Sequence, residues 1–167
     1  MKDDLCIVTG CNGSIGRSIA SSFKKKGFIV LGIDKSKSFS KDIDIPLHYD
    51  LKKIVNSEDY LLEFKKDLSV YLKKYNAKVL INNAAIQILS RSAMSDIKSL
   101  KDSFDTNAIA PFLIYRLVSK YLAKNDGCLV NIGSIHSSLT KDKFGLYASS
   151  KAALKSLTSS IAIENNG

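Results

Sequence analysis

The 167 residues predict an α/β fold, an open, doubly wound parallel sheet, on three observations. Short apolar runs alternate with segments of helical periodicity from end to end. A glycine-rich turn follows directly on the first run, and no repeat or low-complexity linker interrupts the pattern. Parallel strands need long crossovers, which the helical segments supply, and such sheets bind ligands at the carboxyl ends of their strands.

Leu5 to Thr9 reads as the first strand. Ile15, Ile19, Ala20 and Phe23 recur at helical spacing up to Gly27, a helix stop. Phe28 to Ile33 is the second strand, and a polar loop, Lys35 to Lys41, leads to a short third strand at Leu47 to Leu51. Ser57 caps a helix whose apolar stripe is Leu61, Phe64, Leu68, Tyr71, Leu72 and Tyr75. A fourth strand begins at Val79 to Ile81. Ser95 is placed to cap a short helix reaching Ser103, and a longer one runs from Asp105 to Lys124, broken or bent near Pro111. Cys128 to Ile132 is the fifth strand, and a last helix carries Tyr147, Lys151, Leu154 and Ile161.

A chain with 45% hydrophobic residues, nine glycines and two prolines fits one soluble domain over residues 1–167 and excludes a disordered or collagenous chain. It has no apolar run of the roughly 18 residues a membrane span needs, and Met1 to Asp4 lead straight into a strand without a signal-peptide pattern, so a cytoplasmic location is expected. The formal charge is +9, but it comes from 22 lysines and only three arginines. The lysines are scattered in pairs and triplets such as Lys24 to Lys26 and Lys73-Lys74, which suits solvated helix faces better than a nucleic-acid site. Cys6, Cys11 and Cys128 form no C-x-x-C pair; reduced thiols are expected, with neither a disulfide framework nor a metal site.

The chemistry starts at Thr9-Gly10-Cys11-Asn12-Gly13-Ser14-Ile15-Gly16. Glycines where a strand turns into a helix permit positive φ and let backbone N–H groups approach a pyrophosphate, whose charge a helix N-terminus favours. Asp34 ends the second strand 18 residues beyond Gly16, close to the roughly 20 expected for the acid that accepts from an adenosine ribose. Its charge would repel a 2′-phosphate, while Lys35 would offset that repulsion. In Asn82-Asn83-Ala84-Ala85 the small side chains allow close approach of a ligand, and the amides would tie strand ends together. Asn107 lies in the long helix before Pro111. Tyr147 and Lys151 are four apart and share a helix face; Tyr49 and Lys53 have the same spacing, so spacing alone does not mark a site. The later pair has company in Ser134, at the end of the fifth strand. A tyrosine has an ordinary pKa near 10 and is a poor base at neutral pH unless a cation such as Lys151 stabilises its phenolate.

Together these residues resemble the short-chain dehydrogenase/reductase family. The glycine-rich turn, Asp34, Asp50-Leu51, the N-N-A-A run, Asn107, Ser134 and Tyr147-x-x-x-Lys151 stand in that family's order and approximate spacing across essentially the whole chain. The resemblance implies a Rossmann-type sheet and four catalytic residues. Tyr147 is the acid/base; Lys151 tunes it and holds the nicotinamide ribose; Ser134 bonds the reacting oxygen; Asn107 supports a proton-relay water. It implies a cofactor site of Gly10, Asn12, Gly13, Ser14, Ile15, Gly16, Asp34, Asp50, Leu51, Asn83, Ala84 and Ala85, with Tyr147 and Lys151. NAD is expected ahead of NADP, with no metal.

Two departures accompany the resemblance. Ser14 stands where the commonest short-branch turn, T-G-x-x-x-G-x-G, has glycine, and Gly10, Gly13 and Gly16 resemble the extended branch, whose enzymes often act on sugar nucleotides; Asn82 to Ala85 favours the short branch. The chain also ends where a sixth strand and a substrate loop are expected, which implies a sheet truncated after the fifth strand and its helix. The leading expectation is an oxidoreductase passing a hydride between NAD(H) and a secondary alcohol or ketone, with a small-molecule substrate such as a sugar derivative. The alternative is an inactive dinucleotide-binding or interaction protein derived from such an enzyme. Ile135 and His136 follow Ser134 towards the substrate side, although a lone histidine is commonly a polar loop residue. Apolar surplus on the segments Ile109 to Leu122 and Ala148 to Ile163 implies a homodimer or homotetramer, with neither nucleic acid nor membrane as partner.

Overall fold

A computed structural model describes residues 2–165. Five parallel strands form one sheet in the order β3-β2-β1-β4-β5: β1 Asp4–Thr9, β2 Ile29–Asp34, β3 Ile45–His48, β4 Asn76–Asn82 and β5 Cys128–Asn131. The expected doubly wound sheet is present. In β1 both faces are apolar, because the strand is covered on both sides. Leu5 and Ile7 point into one layer, with Phe64, Leu68, Ile114 and Val118; Cys6 and Val8 point into the other, with Ala20, Val30 and Ile81. Burying a side chain such as Phe64, fully enclosed, stabilises the fold by about 2–3 kcal/mol.

Helix α1, Ser14–Lys25, ends on Gly27 at φ 84°, with Lys24 and Lys25 in the last turn, where cations meet the negative end of the helix dipole. Ile15, read from the sequence as part of its apolar stripe, is instead 57% exposed. The third strand lies earlier than expected, at Ile45–His48, because Asp50 accepts from the Lys52 N–H and starts helix α2 at Leu51–Asn56. Ser57 caps α3, Glu58–Lys74, as the sequence indicates. Helix α4, Ile97–Phe104, is capped by Asp96, which accepts from the Ser99 N–H; the cap expected at Ser95 falls one residue early, and an ionised carboxylate is the stronger cap.

The long helix is interrupted just before Pro111. Its irregularity is a π turn at Asp105–Ile109, after which α5, Ala110–Lys124, takes Pro111 into its first turn, where the missing N–H costs least. Helix α6 covers Gly145–Glu164. β5 closes one side of the sheet as an edge strand, with Cys128 and Val130 exposed. No helix among the described residues is long and apolar enough to cross a membrane.

Candidate active site

The strand order reverses between β1 and β4, so the loops after these two strands leave for opposite faces and open a crevice at their carboxyl ends. A cleft of ≈ 720 Å³ lies there, with the turn after β1 as one wall and the ends of β2, β3 and β4 as the rest. Gly10 takes φ +63°, and a Cβ on it would stand 2.7 Å from the Ala84 Cα. A Cβ on Gly16 would stand 2.1 Å from the Gly10 carbonyl oxygen, so the close approach of turn and helix requires both glycines. Gly13 is the N-cap of α1 and supplies no side-chain acceptor, and the first turn carries no acid. The N–H groups around Ser14 and Ile15 therefore face the cleft with the positive end of the helix dipole behind them.

Asp34 joins the turn to the second strand. Its Oδ2 accepts from the Asn12 N–H at 3.0 Å and its Oδ1 from the Ser36 N–H at 2.9 Å, which holds the carboxylate at the cleft wall with lone pairs to spare. Lys35 lines the cleft beside it, and its carbonyl stands 2.9 Å from His48 Nε2. Asp50 and Leu51 reach the same wall as the start of α2. The Asn12 amide is buried with neither polar atom paired.

Thr9, which sequence reasoning passed over, organises the floor. Its Oγ1 accepts from the N–H groups of Asn83 and Ala84, both at 3.0 Å, while Asn83 Nδ2 donates to the carbonyls of Thr9 and Gly10. The asparagine amides thus tie neighbouring strand ends together: Asn82 Nδ2 donates to Asn131 Oδ1 at 2.8 Å, and Asn131 Nδ2 to Thr158 Oγ1 at 2.8 Å. Ala84, Ala85 and Ile86 carry the floor on towards α6.

Asn107, Ser134, Tyr147 and Lys151 stand past that end of the cleft and do not line it. Asn107 is fully buried in the π turn. Its Oδ1 accepts from the Ile86 N–H at 2.8 Å, and its Nδ2 donates to the Ile86 carbonyl and to Ser150 Oγ, both at 2.9 Å. Ser150 Oγ in turn donates to the Tyr147 carbonyl at 2.8 Å. Pro111, four residues beyond Asn107, has no N–H to give to the Asn107 carbonyl. Lys151 is 2% exposed, and its Nζ donates to the Ile132 carbonyl at 2.7 Å, two residues before Ser134. Burial, with no carboxylate to offset it, lowers the Lys151 pKa from the ordinary lysine value. Tyr147 is half-buried one helical turn before Lys151, with the rings of Phe144 and His136 6.3 and 6.4 Å away. Ser134 Oγ accepts from the His136 N–H at 3.2 Å, which leaves the hydroxyl hydrogen free to donate.

The other Y-x-x-x-K pair is structural. Tyr49 is buried and donates to Asp67 at 2.7 Å; burial, and then that carboxylate, push its phenol well above the usual range.

Residues 4–166 match the family model described as short chain dehydrogenase. The chain belongs to that family. It is 29% identical over 166 residues to the short-chain dehydrogenase RED1 of Pyricularia oryzae, with 98% of this chain and 58% of that protein aligned. It is also 29% identical over 173 residues to an NAD-dependent glycerol dehydrogenase of Listeria innocua, with 98% of this chain and 65% of that protein aligned. A solved 4-hydroxyisoleucine dehydrogenase complexed with NADH superposes with a TM-score of 0.83 at 25% identity, covering 97% of this chain and 69% of that one. The chain thus spans about three fifths of the length of these curated relatives.

Proposed function

We propose that the protein is an NAD(H)-dependent oxidoreductase that interconverts a secondary alcohol and its ketone. The observation that carries this reading is the grouping at the end of β5: Lys151 is anchored on the Ile132 carbonyl, Ser134 follows two residues later, and Tyr147 precedes Lys151 by one turn of α6. The buried, unpaired Asn12 amide, the Gly10 and Gly16 cradle and the uncapped first turn of α1 fit a dinucleotide pyrophosphate. Asp34 would hold the adenosine ribose, and Asp50-Leu51 and Asn83 to Ala85 the neighbouring parts of the cofactor.

When bound, the nicotinamide supplies or takes up the hydride at the substrate carbon. Tyr147 exchanges the hydroxyl proton, and the Lys151 ammonium stabilises its phenolate. Ser134 donates to the reacting oxygen, because its hydroxyl hydrogen is free while the His136 N–H holds the oxygen in place. The Asn107 side chain is spent on Ile86 and Ser150, so Asn107 acts as a positioning residue and would support the relay water indirectly. A panel of secondary alcohols and ketones followed by NADH absorbance tests the reading. Tight NADH binding without turnover of any of them would favour the inactive dinucleotide-binding alternative.

NADH should bind more tightly than NADPH, because a 2′-phosphate would meet the Asp34 carboxylate. Titration calorimetry with both cofactors decides this; tighter NADPH binding would transfer the role to Lys35. The glycerol dehydrogenase named above is NAD-dependent and the 4-hydroxyisoleucine dehydrogenase was solved with NADH, whereas a gluconate 5-dehydrogenase of the same fold was solved with NADP.

The assembly expected through α5 and α6 has Ile109, Phe112 and Ile163 as the exposed large apolar side chains on those segments. A homodimer or homotetramer through these helices is expected by light scattering after size-exclusion chromatography. A monodisperse monomer at micromolar concentration would remove that interface.

A further inference from the structure

β5 runs into Ser134, whose hydroxyl caps the short 3₁₀ turn Ile135–Ser137 and so fixes where His136 stands. Three contacts hold its imidazole beside the Ser134 and Tyr147 pair. The His136 N–H goes to Ser134 Oγ; the ring centroid lies 4.4 Å from that of Phe144, which is itself buried; and the ring stands edge-on to Tyr147 at 6.4 Å. His136 Nδ1 is 3.0 Å from the Leu139 carbonyl oxygen. A carbonyl has no proton to give, so Nδ1 carries the hydrogen and donates. In the neutral imidazole Nε2 is then an acceptor only, and among the described residues it makes no hydrogen bond.

We infer that His136 reads a second hydroxyl on the substrate. Nε2 accepts from a hydroxyl borne next to the carbon that is oxidised, and the preferred substrate class is a vicinal diol or polyol. This rests on the reading of Ser134 and Tyr147 as the site of the reacting oxygen. The discrimination has a plain physical origin. Phe144 and Tyr147 flank the imidazole with aromatic surface, and a diol brings Nε2 a hydrogen-bond partner that a simple alcohol lacks. Loss of one such hydrogen bond corresponds to about a tenfold preference.

Two measurements on the full chain test the inference. Long-range ¹H–¹⁵N NMR of the NADH-saturated protein should show His136 Nδ1 protonated, with an Nε2 resonance that moves saturably with 1,2-propanediol and stays put with 2-propanol. In steady-state assays the kcat/KM ratio for 1,2-propanediol over 2-propanol should fall about tenfold in His136→Phe, which keeps a ring against Phe144, and be partly restored in His136→Gln, whose amide oxygen still accepts. An Nε2 that ignores the diol overturns the inference, whatever the turnover and whether or not the variants fold. Oxidation of both alcohols at equal kcat/KM by the unaltered protein overturns it too, while leaving the redox reading intact. A saturable Nε2 response without turnover of either alcohol keeps the diol contact and removes the redox reading.

Discussion

Alanine at position 16 should destabilise the protein by about 3 kcal/mol and abolish measurable NADH binding. The added Cβ would lie 2.1 Å from the Gly10 carbonyl oxygen, 2.8 Å from the Cys11 Cα and 2.9 Å from Asn83 Nδ2. Two of these are backbone atoms, so no rotamer change relieves the contact. Gly10 cannot retreat either, because its own Cα faces Ala84 across the floor of the cleft. The α1 N-terminus must move, and with it the N–H groups that face the cleft. Urea denaturation and an NADH fluorescence titration check the two effects separately. Gly133→Ala is the control, since a Cβ there meets nothing within 4 Å. An unchanged denaturation midpoint for Gly16→Ala would sink this account of the turn.

Tyr147→Phe should lower turnover by about 10²- to 10⁴-fold and leave NADH affinity within a few fold. The exchange removes one hydroxyl and keeps the ring that packs near His136 and Phe144. The main-chain link from the Tyr147 carbonyl through Ser150 to Asn107 is untouched, so thermal stability should hold. Lys151→Ala, by contrast, should damage stability, cofactor binding and turnover together, since it also empties a buried place on the Ile132 carbonyl. A Tyr147→Phe protein that kept most of its activity would contradict the acid/base assignment.

The strands β1, β2 and β5 and the helices α1 and α3 were legible in the sequence because each couples an apolar run or period to a local stop or start signal, such as Ser57 before α3 or Gly27 after α1. The candidate cofactor residues were legible for a related reason. Gly10, Asp34 and Asn83 sit at strand ends, where a parallel sheet collects ligand contacts, and the structure brings them to one cleft. Contacts between distant segments left no such trace. Thr9 looks like an ordinary strand residue until Asn83 and Ala84 donate to it from 74 and 75 positions away. Ser150 is one serine among many on α6 until Asn107 reaches it. The third strand lies earlier than Leu47 to Leu51 because the Asp50 side chain, by accepting from the Lys52 N–H, starts a helix where the apolar pattern reads as strand. Proline drew attention to position 111, while the departure from α-helical geometry lies just before it.

The π turn at Asp105–Ile109 bears on which changes in chain length this protein can accept over generations. A π turn holds one more residue than the α turn it replaces, and each residue of an α-helix turns the chain by about 100°. Deleting one residue there would give α4 and α5 a smoother, fully α-helical rod, which in isolation is the easier backbone to form. The same deletion would leave α4 and α5 nearly in phase, because the extra residue is taken up within the one wide turn, but it would take Asn107 away from Ile86 and Ser150. Heredity is therefore expected to keep the length of this segment fixed even while it exchanges the side chains around it.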